Sequence, residues 1–183
     1  MRSRSLMTPF LFALAAVALS SPARASVALP LGLDDLVGHA ERIAVARVES
    51  MEARWTASHD AIYTDVTLRL VRPLKGEGKA GDTVTVRREG GVVDGIGMRV
   101  WGAASFSAGE EVVVFLERRG AALWTVGMSQ GKLRVEETNG RKMAIKQNAG
   151  LTWLRGHAPP DEPAVRPLDE LCTDIIARSA RSR

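Results

Sequence analysis

Apolar and polar residues alternate with a period of two along most of this chain, and only its two ends follow a helical period. From Ile62, the positions Thr64, Val66, Leu68 and Leu70 alternate with Tyr63, Asp65, Thr67 and Arg69, which predicts a half-buried strand ending at Pro73 and the Lys75-Gly76 turn. Thr83 to Arg87 repeats the alternation, with Val84 and Val86 inward. Val112 to Leu116 is apolar at every position and reads as the most buried strand of the sheet. Two hairpins are marked by turn chemistry. Val92-Val93 passes through Asp94-Gly95 to Ile96 and Met98, and Leu133 to Glu137 passes through Asn139-Gly140 to Met143 to Lys146. Asp-Gly and Asn-Gly supply the positive φ that a two-residue type I′ turn requires.

Near the start, Leu33 to Ala40 predicts a short helix, with Leu33, Leu36 and Val37 on one side and Asp34 and Asp35 in the first turn, where they suit the helix dipole. Near the end, Leu168, Leu171, Cys172, Ile175 and Ile176 fall at i, i+3, i+4, i+7 and i+8, a continuous apolar stripe that should pack on the sheet. Pro167 suits its first turn, and Arg178 and Arg181 its C-terminal end. Between domain and helix, residues 157–167 carry Pro159, Pro160, Pro163 and Pro167 and predict an extended connector. The expected organisation is a signal peptide over 1–25, a β domain with a short N-terminal helix over 26–156, that connector, and an amphipathic helix over 168–183.

The signal-peptide expectation rests on Arg2 and Arg4, the apolar run Phe10 to Leu19 and the small-residue site Ala23-Arg24-Ala25. The run is about half a bilayer span, and no second one follows, so no membrane span is expected. Cleavage before Ser26 places the protein in a periplasm or the extracellular medium. It also changes the charge: the formal net charge is +4, and losing Arg2, Arg4 and Arg24 with no acidic residue leaves a nearly neutral chain. A nucleic-acid or anionic-membrane partner is therefore not expected, even with Arg87-Arg88, Arg118-Arg119 and Arg141-Lys142 at strand ends. Cys172 is the single cysteine. It excludes an internal disulfide, and its place on the helix stripe makes it a packing residue.

The string from His39 through Ala46 to Val48, the Thr64-to-Leu70 strand and Leu74-Lys75-Gly76 together resemble the first two strands of netrin-like, tissue-inhibitor-type domains. The resemblance implies a mainly β fold: an OB-like antiparallel barrel with a short N-terminal and a longer C-terminal flanking helix. Metalloprotease inhibitors of that family bind the target's zinc through an N-terminal cysteine, whereas this chain would start with Ser26 and lacks the family's disulfides. Gly109 to Leu116 and Gly127 to Lys132 are similar to stretches of uncharacterised exported bacterial β-proteins.

Catalytic signatures are weak. Gly127-Met128-Ser129-Gln130-Gly131 fits the G-x-S-x-G of a nucleophile elbow, but that motif needs a strand before it and a helix after it. Here Leu123 to Val126 and Lys132 to Val135 are both strand-like, so a tight turn is expected. His39, His59 and His157 are scattered, with no paired-ligand spacing, and no metal site is expected. Ser58-His59-Asp60 cannot form a triad among sequence neighbours. Gly90-Gly91 and Gly95-x-Gly97 lack the following helix of a phosphate loop and read as turns or bulges. No cofactor is implied. Of four tryptophans, Trp55 and Trp101 lie near predicted strand ends and are the better surface candidates. The expected function is a non-enzymatic, exported binding domain for a protein, peptide or envelope component, with Trp55, Trp101, Ser129, Gln130 and Lys132 as candidate contacts. A small serine hydrolase using Ser129 and a secreted protease inhibitor are the alternatives.

Overall fold

A computed structural model describes residues 26–148 and 150–181; the signal-peptide segment lies outside them. The strands are β1 (Ser26–Ala28), β2 (Arg42–Trp55), β3 (Ile62–Lys75), β4 (Thr83–Glu89), β5 (Gly91–Val93), β6 (Ile96–Met98), β7 (Glu111–Arg119), β8 (Ala122–Thr125), β9 (Lys132–Thr138), β10 (Arg141–Lys146), β11 (Leu151–Trp153) and β12 (Val165–Pro167). The helices among the described residues are α1 (Leu33–His39), a 3-10 turn at Met128–Gly131 and α2 (Leu168–Arg181). The fold is mainly β, with α-helices towards the ends as expected. None of them is long and apolar enough to cross a membrane.

Eight strands form one sheet in the order β12-β10-β9-β7-β2-β3-β4-β8, and β8 pairs a second time, with β7. The link between β4 and β8 is one parallel pair, Val86 with Leu123. β8 and β9 lie end to end along the same edge of β7, β8 beside Leu116 to Arg119 and β9 beside Val112 to Val114. Between them the chain leaves the ladder through Gly127 and Met128, with φ of 59° and 64°. It returns at Gly131, where a Cβ would lie 2.7 Å from Val126 N and 3.0 Å from Phe115 O. Only glycine fits so close to two backbones.

β2 and β7 are buried on both faces, which is why Val112 to Leu116 carries no polar residue. Ile43, Val45, Val113 and Phe115 face one core with α1 and α2. Ala44, Ala46, Val48, Val112, Val114 and Leu116 face a second, with Val66, Leu68, Val84 and Val86 from β3 and β4. Both hairpins form on their predicted turns, with Asp94 and Asn139 at φ 51° and glycine at positive φ after each.

Three local expectations are corrected. β3 ends at the expected Lys75-Gly76 turn but runs through Pro73 on the way, because its pairing with β4 ends at Arg69 and the proline lies where β3 has only β2 beside it, an edge position that tolerates proline. In α2 the buried residues are Leu168, Leu171, Cys172, Ile175 and Ser179, while Ile176 is 45% exposed. The stripe continues i+4 from Ile175 to Ser179, whose hydroxyl donates to Ile175 O at 2.7 Å and so enters the core satisfied. Pro167 ends β12, immediately before the helix, rather than opening its first turn.

The proline-rich segment is fastened at two points. Val165–Pro167 pairs with β10. Glu162 accepts from Leu33 N at 2.9 Å and from Lys146 Nζ at 2.7 Å, tying the segment to the start of α1. Burial opposes ionisation of Glu162, but those hydrogen bonds and the Lys146 and Arg178 charges outweigh it and hold the carboxyl below its ordinary value. A depressed carboxyl contributes stability above its unfolded pKa and loses it as pH falls through the folded value. The segment is therefore expected to become more protease-sensitive in acid, and Glu162→Gln should show that sensitivity already at neutral pH. Equal digestion of variant and wild type would refute the tether.

Candidate functional site

Where β4 gives way to the β5–β6 hairpin, the chain crosses one end of the sheet closely. Thr64 Oγ1 donates to Gly90 O at 2.6 Å, and Gly90 N donates to Ile62 O at 2.8 Å. At Gly91, with φ +153°, a Cβ would lie 2.8 Å from Ala53 Cβ and 2.7 Å from Thr64 Oγ1, so the glycine pair is a close-packing device here. Met98 Sδ accepts from Ile62 N at 3.1 Å and holds the far strand of the hairpin down. The segment that follows returns over the hairpin and encloses a cleft of about 300 Å³ lined by Arg88, Val92, Met98, Arg99, Trp101 and Gly102, among others. That is the low end of the size range of small-ligand sites.

Its arginines have no ion-pair partner among the described residues. Val84, Val86 and Arg88 share one face of β4, so the alternation that buries the two valines turns an arginine inward at the strand end. Arg88 is half-buried; its Nη1 donates to Glu89 O at 3.2 Å, and its Nε is buried without a hydrogen-bond partner. Burial pushes the guanidinium below the ordinary arginine value, with the Glu89 charge opposing. An arginine stays protonated regardless, so the strained quantity is solvation. Arg99 stacks on the Trp101 ring, its Cζ 4.0 Å from the centroid. Among the described residues neither arginine has a carboxylate within ion-pair distance.

The other clefts differ. A groove of about 310 Å³ contains Arg42, Arg87 and Arg118. Asp65 grips Arg87 at 2.7 and 3.0 Å, Glu41 grips Arg118 at 3.0 and 2.8 Å, and Glu77 meets Arg42 at 3.2 Å. In a groove of about 260 Å³ beside Leu31, Trp153 and Pro160, Lys146 is neutralised by Glu162. Of these three clefts, the Arg88 cleft is the one whose guanidiniums lack a carboxylate ion-pair partner among the described residues.

Of the residues singled out in sequence, Trp101 lines this cleft. Trp55 stacks instead on His59, with centroids 6.0 Å apart, at a loop where Thr56 and Ser58 hydroxyls bond Asp60. Ser129 lies behind the cleft wall, its N donating to Gly102 O at 2.9 Å; its Oγ is buried with no hydrogen-bond partner, so no base is in place to activate it. The G-x-S-x-G stretch runs into β9, as a turn and not an elbow. Gln130 is an internal strap: its Nε2 donates to Leu29 O and Gly127 O, and its Oε1 accepts from Leu31 N at 2.8 Å. Lys132 is buried in the sheet against Glu110 and Gln147. Among the described residues no cluster of three or more His, Cys, Asp or Glu could hold a metal.

Arg88 and Arg99 were missed as site residues, although Arg88 carries a readable signal: an arginine in the inward register of an alternating strand. Arg99 carries none, because only the hairpin's fold brings it beside Trp101. No family model, curated protein or solved structure matches this chain.

Proposed function

We propose that this chain is an exported, non-enzymatic binding domain whose Arg88–Arg99–Trp101 cleft receives a carboxylate of a peptide or protein partner. The observation that carries the reading is the pair of guanidiniums without acidic partners, one turned inward, in a molecule whose other cleft-lining arginines are paired. A guanidinium fork matches a carboxylate bidentately, and Val92, Met98 and Trp101 offer an apolar wall to the residue beside it. The frame is read as an OB-type barrel: the pairings β2-β3-β4-β8-β7 return to β2, with β4 and β8 parallel, and OB barrels bind ligands on loops and strand faces. Export is supported by the leader-like first 25 residues. The serine-hydrolase alternative has less support, since Ser129 Oγ faces no base. The inhibitor alternative lacks the N-terminal cysteine on which zinc capture depends.

On the exported protein, whose first residue is expected by N-terminal sequencing to be Ser26, calorimetric titration with a short apolar peptide ending in a free carboxylate should show saturable binding that weakens with salt. The C-terminally amidated peptide should bind at least tenfold more weakly. Equal binding of both peptides, or ester hydrolysis abolished by Ser129→Ala, would overturn the reading.

A further inference from the structure

Lys132 is 1% exposed, an extreme position for an ammonium. It opens β9, one step beyond the Leu133–Lys146 pair, and so stands across the hairpin from Gln147. Its Nζ lies 2.5 Å from Glu110 Oε1 and 2.9 Å from Gln147 Oε1, with the Phe106 ring centroid at 5.2 Å closing the third side. Glu110 is itself nearly buried, its side chain 11% exposed. Thus an amine, a carboxamide and a carboxylate meet in a largely buried space. In such surroundings the ammonium is poorly solvated, and the neutral amine gains relative weight. Burial accordingly pushes the Lys132 pKa down, with the Glu110 hydrogen bond and charge opposing.

We propose that Lys132 and Gln147 join in an internal amide cross-link, formed by transamidation with Glu110 as the proton carrier. Glu110 takes one proton from the Lys132 ammonium. The freed Nζ lone pair attacks Gln147 Cδ, forming the Nζ–Cδ bond, and the Cδ–Nε2 bond breaks. A second Nζ proton passes to the departing nitrogen, which leaves as ammonia, takes up the proton held by Glu110 and diffuses away as ammonium. Glu110 returns to its carboxylate, Nζ keeps one hydrogen as a secondary amide, and no oxidant, metal or cofactor enters the balance. The product amide is neutral and keeps one N–H to donate to the Glu110 carboxylate, which retains its charge. It would also give a chain with a single cysteine a covalent staple between β9 and the segment leaving β10. The staple is independent of the Arg88 cleft.

Intact-mass measurement of the folded protein is expected to give a chain lighter than its sequence by one ammonia, and digestion should yield a branched peptide joining the Lys132 and Gln147 segments. Glu110→Gln should restore the full mass. Should that variant fail to fold, the wild-type branched peptide decides alone. A full sequence mass, or an ammonia loss mapped to any other residues, would overturn the cross-link.

Discussion

Replacing Ile175 by alanine is expected to lower the stability of the protein by about 2–5 kcal/mol, the range for emptying a buried Ile or Leu site. Ile175 is fully buried and shares a core with Val37, Ile43, Phe115, Leu133 and Leu171, so the cavity would open where α2 closes the outer face of β2 and β7. Domains of this size hold about 5–15 kcal/mol in total, which makes the loss a large fraction. Ile176 provides the control: one residue away and 45% exposed, it should change stability by no more than about 0.5 kcal/mol on truncation. Chemical denaturation reads both, as a clear fall in midpoint at unchanged slope for Ile175→Ala and little change for Ile176→Ala. Equal midpoints would mean that α2 is not part of the cooperative unit.

The second large effect is on binding. Arg88→Met combined with Arg99→Gln should reduce affinity for the free-carboxylate peptide by about a hundredfold or more, since each charge-assisted hydrogen bond contributes about 1.5–3 kcal/mol. The fold should tolerate the change. Arg88 Nε is buried and unpartnered, so replacing the arginine with an apolar chain of similar length removes a desolvated charge and is expected to leave the denaturation midpoint unchanged or to raise it. An arginine held for structure would behave in the opposite way: its loss would lower the midpoint. The two readouts together separate a binding residue from a packing one, and a fall in midpoint with unchanged affinity would reject the assignment.

The elements were legible in the sequence wherever one residue pattern met one environment. Val84 and Val86, the Thr64-to-Leu70 alternation and the Asp94-Gly95 and Asn139-Gly140 turns all form as read, because period and turn chemistry are local properties. The division of β2 and β7 between two cores was only half visible. An all-apolar strand announces burial on both faces, but nothing local says that Phe115 meets α2 while Val114 meets β3 and β4. The site was less legible still. Gln130 and Lys132 drew notice as polar residues in a glycine-rich turn, yet long-range contacts with Leu29, Leu31, Glu110 and Gln147 make them internal struts. Arg88 was visible as half of an Arg-Arg pair, and its inward register was the stronger cue. Arg99 reaches Trp101 and the cleft only through the tertiary path set by Gly90, Gly91 and Met98.

Backbone amide shift mapping on the isotope-labelled protein, titrated with the free-carboxylate peptide, tests the cleft assignment most directly. The account predicts that the perturbed amides cluster at Arg88, Gly91, Arg99, Trp101 and Gly102, and that the Trp101 indole signal moves with them. Perturbations gathered instead around Arg42, Arg87 and Arg118, or at the Trp153 groove, would contradict it, as would a titration that moves no amide at all.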